Sequence, residues 1–394
     1  MSDAPIYLDN AATTPLDGRV LESMLPFLSG SFGNAASKQH AMGRAAAGAV
    51  EQARGEVALL IGADPREIVF TSGATEANNL GLLGACQAEA HAQLPRRVLT
   101  ASTEHHAVLE PIDALEAQGF EVVRLPVNEC GHLDLDQLQA ELRKGLRLVS
   151  LMGANNELGV LHPLAEIGAL CREHGALFHT DATQLVGKQP LDVDSACIDL
   201  LSLSAHKFYG PKGVGALYLR RKRPRVRVNP LQLGGGHESG RRSGTLNVPA
   251  IVGLGTAAAL RAREAAEDEA RIATLRDEFE AQLQAAVGEI EVNGDTQLRL
   301  AGHSNLAIAG VDAESLLSRL ERVCASSGSA CTSASQGPSH VLRALGHSGA
   351  RVRSSLRFSL GKDTQAAQIA DAVAELRQAV RQERAEGPQD ICAL

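Results

Sequence analysis

Short apolar runs recur along the first two thirds of the chain, and stretches with helical spacing lie between them. Runs at 67–72, 97–101, 120–125, 147–152, 176–180, 199–202 and 215–219 read as strands. A helix is expected from about residue 74, with others over 106–118 and 164–173. Strands this short and this uniformly apolar have no wet face. Separated by helices of about ten residues, they predict a mostly parallel sheet covered on both sides. Gly213-Val214-Gly215 begins just before the last of these runs, so a hairpin and an antiparallel edge are expected there.

The pattern changes after residue 248. A long Ala-rich and Glu-rich helical stretch over 248–287 reads as a connector. Beyond it lie strand patterns at 305–309 and 355–360 and helical patterns at 313–320 and 364–384. The expected organisation is a large domain over 16–261 and a smaller α+β domain formed by 1–15 and 262–394.

Composition narrows the function classes. With 394 residues, 44% of them hydrophobic and 21% charged, the chain has ample material for a core. Aromatics make up only 3%, with no Trp, so there are few platforms on which bases could stack. A net charge of −8 opposes a global attraction to nucleic acid or an acidic membrane. Residues 220–227 are a local exception, with six basic residues in eight; they read as a solvated turn or as a docking surface for an acidic partner or an RNA. The seven Cys are odd in number and include no C-x-x-C pair, which argues against a disulfide framework and a structural zinc site. Reduced thiols, an opening MSDAPIYLDN without a signal-peptide pattern, and no apolar run of the roughly 18–20 residues that span a bilayer give a cytoplasmic expectation with no membrane partner.

Four segments carry candidate chemistry. In Phe70-Thr71-Ser72-Gly73-Ala74-Thr75-Glu76 a strand ends and small residues open a helix, as in a phosphate site or simply an ordinary helix start. In Phe178-His179-Thr180-Asp181-Ala182-Thr183-Gln184 a carboxylate closes a strand. Ligand crevices of open α/β sheets lie at that end, and Asp181 there could hold a protonated ring nitrogen or cap a helix. Lys207, in Ser204-Ala205-His206-Lys207, follows a nearly wholly apolar strand at the same edge; it suits Schiff-base chemistry or is a solvated loop lysine. Cys331 stands in the middle of Ser-Ser-Gly-Ser-Ala-Cys-Thr-Ser, small polar surroundings unlike those of a structural thiol. The other six Cys read as structural. Gly253-Leu254-Gly255 fits a dinucleotide fingerprint formally but follows no strand, and no H-E-x-x-H occurs, so no catalytic metal is expected.

Taken together, and in this order, the segments resemble cysteine desulfurases of the NifS/IscS group, class I, among the fold-type-I pyridoxal-phosphate enzymes. Tyr7-Leu8-Asp9-Asn10-Ala11-Ala12, Thr103-Glu104-His105, Ala154-Asn155-Asn156-Glu157, His206-Lys207, Arg242-Ser243-Gly244-Thr245 and the Cys331 loop carry the likeness, which covers about 6–361. It implies a large domain with a mostly parallel seven-stranded sheet between helices, a smaller C-terminal α+β domain, and pyridoxal 5'-phosphate as cofactor. Lys207 would hold the cofactor covalently. Asp181 would bond its ring nitrogen, and His105 would stack on the ring and shuttle protons. Gln184 would reach the phenolic oxygen, with Asn156 beside it. Ala74, Thr75, Ser204 and His206 would hold the phosphate, and Thr245 that of a neighbouring subunit in a homodimer. Arg357, assisted by Asn34 and Asn156, would bind the carboxylate of L-cysteine. Cys331 would take the sulfur as a persulfide for an acceptor such as an iron–sulfur scaffold or a thiolation carrier, and could transiently ligate an iron–sulfur cluster. The basic run at 220–227 resembles a docking surface for acidic partners. Ala205 stands where the family usually has Gly, and Ala35 where Pro is usual.

Among other readings, an aminotransferase has no use for Cys331, and a selenocysteine lyase needs no thiol nucleophile. A scaffold that kept the fold sits badly with intact Lys207, Asp181, His105 and Cys331. A cysteine hydrolase would need a His oriented at Cys331.

Overall fold

The computed structural model describes residues 4–223, 225–327 and 338–386. A short strand, β1 (Ile6–Tyr7), opens it. The large sheet follows: β2 (Ile68–Thr71), β3 (Arg97–Ala101), β4 (Glu121–Leu125), β5 (Leu148–Ser150), β6 (Leu177–Asp181), β7 (Leu200–Ser204) and β8 (Gly215–Leu219). Its order is β2-β8-β7-β6-β5-β3-β4. Every pairing from β4 through β3, β5 and β6 to β7 is parallel, whereas β8 runs antiparallel to both its neighbours. All residues of β6, β7 and β8 are buried, as a sheet covered on both faces requires. Of the buried polar residues of β6, His179 is bonded on both sides, by Ser150 of β5 at 2.8 Å and Ser202 of β7 at 3.2 Å.

The expected hairpin at Gly213 exists, because β7 and β8 pair directly. The expected antiparallel edge does not: β2 adds outside β8, in the register Ile68↔Tyr218, and forms that edge itself. The fully buried IVFT of β2, apolar but for Thr71, gains a partner for its backbone there. Gly215 makes the close approach possible. A Cβ at that position would stand 2.4 Å from the Leu203 carbonyl oxygen and 2.8 Å from the Gly73 backbone.

Two apolar cores share one long helix, Val248–Val287. Its first turns, through Ile251, Leu254 and Leu260, pack on the core of the large sheet. Its later turns, through Ile272, Leu275, Phe279 and Leu283, pack on a second core with Leu306, Phe358 and Leu376. The helix is continuous through residues 261 and 262. The second core also covers the antiparallel strands β9 (Ile290–Val292), β10 (His303–Ile308) and β12 (Ser355–Ser359), ordered β12-β10-β9. β1 pairs in parallel with β11 (Val323–Cys324), and Ile6 and Leu8 join this core. The N-terminal segment, anchored there, then crosses to the large sheet: Thr14 donates its backbone N–H to the His206 carbonyl at 2.9 Å.

Candidate active site

The C-terminal ends of parallel strands meet along one edge of a sheet, and here they open on a cleft of about 560 Å³. A space of this order suits a small cofactor and its substrate. β2 leads to Ser72, Gly73 and the helix Ala74–Gln87; β6 ends in Asp181; β7 ends in Ser204 and turns into Lys207. Of the residues expected from the sequence, Ala74, Thr75, His105, Asn156, Asp181, Gln184, Ser204, His206 and Lys207 all line the cleft.

Their surroundings define what each offers. The Asp181 carboxylate is buried and held at both oxygens: Asn78 donates to Oδ2 at 2.7 Å and the Thr183 backbone N–H to Oδ1 at 2.9 Å. Lys207 Nζ donates to the carbonyls of Ala11 at 2.6 Å and Ala12 at 2.9 Å, so the crossing N-terminal segment steers it. The His105 ring accepts the Ala107 backbone N–H at Nδ1, 3.0 Å away. Burial keeps its pKa below the ordinary value, Asp181 opposing and Lys207 adding to that effect. The neutral ring therefore carries its proton on Nε2. His206 is pushed down to about 4 by burial and by the charges of Lys207, Lys212 and Lys188, and its Nδ1 meets Thr13 Oγ1 at 3.1 Å.

At the start of the helix Ala74–Gln87, Gly73 supplies no side-chain cap, so the first N–H groups keep their donor capacity at the positive end of the dipole. Thr183 also belongs to the lining, and its Oγ1 is buried without a hydrogen-bond partner among the described residues. A phosphate at the helix start, a ring nitrogen at Asp181 and an aldehyde carbon at Lys207 match this donor set, and pyridoxal phosphate joins those three groups in one molecule.

Three expected residues lie elsewhere. Arg357, fully buried on β12, pairs with Asp9 at 2.7 Å and donates to the Asn156 carbonyl at 3.1 Å, which puts it behind Asn156, outside the cleft lining. Asn34 is exposed and outside the lining, its Oδ1 accepting the Ala36 N–H at 2.9 Å. Thr245 is exposed and likewise outside the lining. Cys331 lies outside the described residues. The basic run is not one continuous surface. Arg220 is buried beside Asp199 and Lys222 is paired with Asp194, which leaves Arg221, Arg223, Arg225 and Arg227 exposed.

The sequence pattern did not reveal Asn78, and it gave no role to Arg242 and Glu104, which stand in quoted motifs. Asn78 is a polar residue on the buried stripe of its helix, among Ala77, Gly81, Leu82 and Ala85, and that misfit was its only signal. Arg242 forks onto Glu76, Nε to Oε1 at 2.7 Å and Nη2 to Oε2 at 3.2 Å, and Glu76 also accepts the Ser72 N–H at 2.7 Å. Burial would raise the Glu76 pKa, but these bonds hold it below the ordinary value. Glu104 is fully buried, and burial drives its pKa well above the carboxylate range, with Asp181 adding to the rise; it accepts the Met152 N–H at 2.6 Å.

Comparison with known proteins agrees with this geometry. The family model for aminotransferase class-V matches residues 6–371, and this chain belongs to that family, whose enzymes work with pyridoxal phosphate. It is 52% identical over 384 residues to "Cysteine desulfurase IscS" of Anaeromyxobacter sp. (strain Fw109-5), covering 98% of this chain and 94% of the relative. It is 48% identical to "Cysteine desulfurase" of Homo sapiens, covering 98% and 83%. A solved "NifS-like protein" superposes with a TM-score of 0.89 at 33% identity, covering 96% of this chain and all of the other. A structure titled "SspA in complex with cysteine" gives 0.79 at 38% identity, covering 90% and 99%. The architecture is that of fold-type-I pyridoxal-phosphate enzymes, with a mostly parallel central sheet between helices and a smaller C-terminal part.

Proposed function

We propose that this chain is a cysteine desulfurase that converts L-cysteine to L-alanine and passes the sulfur through Cys331 to an acceptor protein. One observation carries the reading: Lys207, Asp181 and the uncapped start of the helix Ala74–Gln87 converge on a single cleft in a chain about half identical to named cysteine desulfurases.

Bound pyridoxal phosphate supplies an electron sink for the charge left on the substrate's α-carbon. The rest is done by side chains. The Lys207 amine would hold the cofactor and, when free, would take the substrate's α-proton. Asp181, fixed by Asn78 and Thr183, would hold a protonated ring nitrogen. Ala74, Thr75, Ser204 and His206 would hold the phosphate. His105 would offer its Nε2 proton to the bound groups. Asn156 and Arg357 bind the substrate carboxylate, with Asn34 assisting, and Arg357 acts once Asp9 yields its fork. The Cys331 thiolate attacks the substrate sulfur; the S–S bond forms as the Cβ–S bond breaks, leaving a Cys331 persulfide and, after proton return, alanine.

In the same reading the enzyme is a homodimer in which Thr245 reaches the neighbouring phosphate, 16–261 form the cofactor domain, and 1–15 with 262–394 form the smaller one. It works in the reducing cytoplasm, and its sulfur supplies iron–sulfur cluster assembly or tRNA thiolation. Arg221, Arg223, Arg225 and Arg227 are the part of the basic run open to an acidic partner.

The test is borohydride reduction of the protein loaded with pyridoxal phosphate, followed by peptide mapping, alongside an alanine assay with L-cysteine. Cofactor mass on the Lys207 peptide and formation of alanine are expected. Loading on another lysine, or no alanine, would overturn the reading.

A further inference from the structure

The side-chain amide of Gln184 is pinned at both ends. Its Nε2 donates to the Ala11 carbonyl at 2.8 Å, and its Oε1 accepts from Lys188 Nζ at 2.9 Å. A carbonyl can only accept, so Ala11 fixes the amide nitrogen on its side and leaves the amide oxygen facing Lys188 Nζ, which can donate to it whether or not the amine carries its extra proton. One N–H serves Ala11. The other N–H of the same nitrogen remains for the cleft, which Gln184 lines. The Ala11 carbonyl is also the acceptor of Lys207 Nζ, so a single chain of contacts joins Lys188, Gln184, Ala11 and Lys207.

Lys188 does not itself line the cleft. It belongs to a second cavity, of about 650 Å³, on the other side of the turn, lined also by Arg261, Glu269, Arg276 and Arg299. The arginines there are committed to Asp268 and Glu269, to Asp277 and to Glu280. The Lys188 head instead points through the wall between the cavities to Gln184, while Glu269, Lys207, Arg261 and Arg357 are the charges that act on it. A lysine buried there, its pKa brought down to about 7 mainly by burial and its Nζ bonded to one neutral amide, has an orienting role as its simplest explanation.

We propose that Lys188 is a positioning residue that holds the Gln184 amide with an N–H, not its carbonyl, toward an acceptor oxygen in the cleft. This rests on the cofactor reading above, in which that acceptor is the ring's phenolic oxygen. A donor on this oxygen favours its deprotonated form, so the neighbouring Lys207-bound nitrogen gives up its proton at lower pH.

The experiment is a pH titration of the visible absorption band of the cofactor-loaded protein in a double-mutant cycle: unmodified, Lys188→Met, Gln184→Leu and the double variant. Loss of a donor should raise the midpoint. Lys188→Met is expected to raise it by about half a pH unit or more, the effect of one modest hydrogen bond. In the Gln184→Leu background the same substitution should shift it no further, because Lys188 acts through the amide. Lys188→Arg, which keeps a cationic donor, should return the midpoint most of the way. Equal shifts in both backgrounds would mean that the charge acts directly through space and would overturn the proposal, as would an unmoved midpoint in Lys188→Met. Should Lys188→Met not accumulate, Lys188→Ala, which opens the position to the adjoining cavity, runs the same cycle. Absence of any lysine-bound band in the unmodified protein is a different failure; it would remove the cofactor reading and this inference together.

Discussion

The two walls of the cleft are built differently. The side chains of the wall that would face the cofactor come from one sheet: Asp181, Ser204 and Lys207 lie at or just past the ends of adjacent parallel strands, and the contacts that aim them are already made, those of Lys207 by the crossing N-terminal segment. The wall that would face the substrate is assembled from both cores. Arg357 comes from β12 and Asn156 from the segment after β5, while Asp9, on the crossing N-terminal segment, accepts from Nη2 of the Arg357 guanidinium. Side chains rooted in one sheet, with their aiming contacts already made, suit a group that stays bound. Assembly across two elements suits a ligand that must enter and leave, since its carboxylate can replace Asp9 on Arg357.

The comparison breaks most visibly at Lys207. Lys207→Ala should lose the visible cofactor band and lower alanine formation by on the order of 10³-fold, as removal of a combined anchor and base does. A smaller loss, with the band intact, would mean that another amine serves. On the substrate wall, Arg357→Lys should keep the band yet raise KM for L-cysteine about tenfold, because an ammonium cannot fork onto a carboxylate. If cofactor affinity fell instead, the two walls would not be separable.

Asn78→Ala tests the cofactor wall from behind. It leaves Oδ2 of Asp181 without its buried donor and should weaken cofactor binding about tenfold, read by titration of the cofactor-free protein, in keeping with the roughly 1–3 kcal/mol cost of an unsatisfied buried polar group. The smallest effect concerns stability. His162, His179 and His206 are each pushed down to about 4, mainly by burial. The unfolded chain binds protons there first, at about 6.5, so their contribution is full above that value and is lost as pH falls toward 4. Over this window the melting temperature of the unmodified protein should fall more steeply than that of His179→Gln, which lacks one of the three groups. Parallel curves would show that His179 titrates normally.

Much of the cofactor wall was legible because its logic is local. A uniformly apolar run followed by Asp181 or Lys207 places a charge at a strand end, and the sheet does the rest. What the sequence hid acts across distance. Asn78 reaches Asp181 from 103 positions away, and Asp9 reaches Arg357 from 348. Arg242, quoted only as part of a motif, and Lys188 show no role until the fold brings them to Glu76 and Gln184. The misplaced sheet edge has the same origin: Gly213 announces the hairpin, but only the tertiary pairing of Ile68 with Tyr218 shows that β2 lies outside it. The basic run read as one patch because linear charge density cannot tell buried Arg220 from exposed Arg221.

The most direct test of the central claim follows the sulfur itself. In a single turnover with sulfur-labelled L-cysteine, the account predicts one labelled sulfur on the peptide containing Cys331 for each alanine formed, and none in Cys331→Ala. Alanine produced by Cys331→Ala at the unmodified rate, or label settling on a different cysteine, would contradict it.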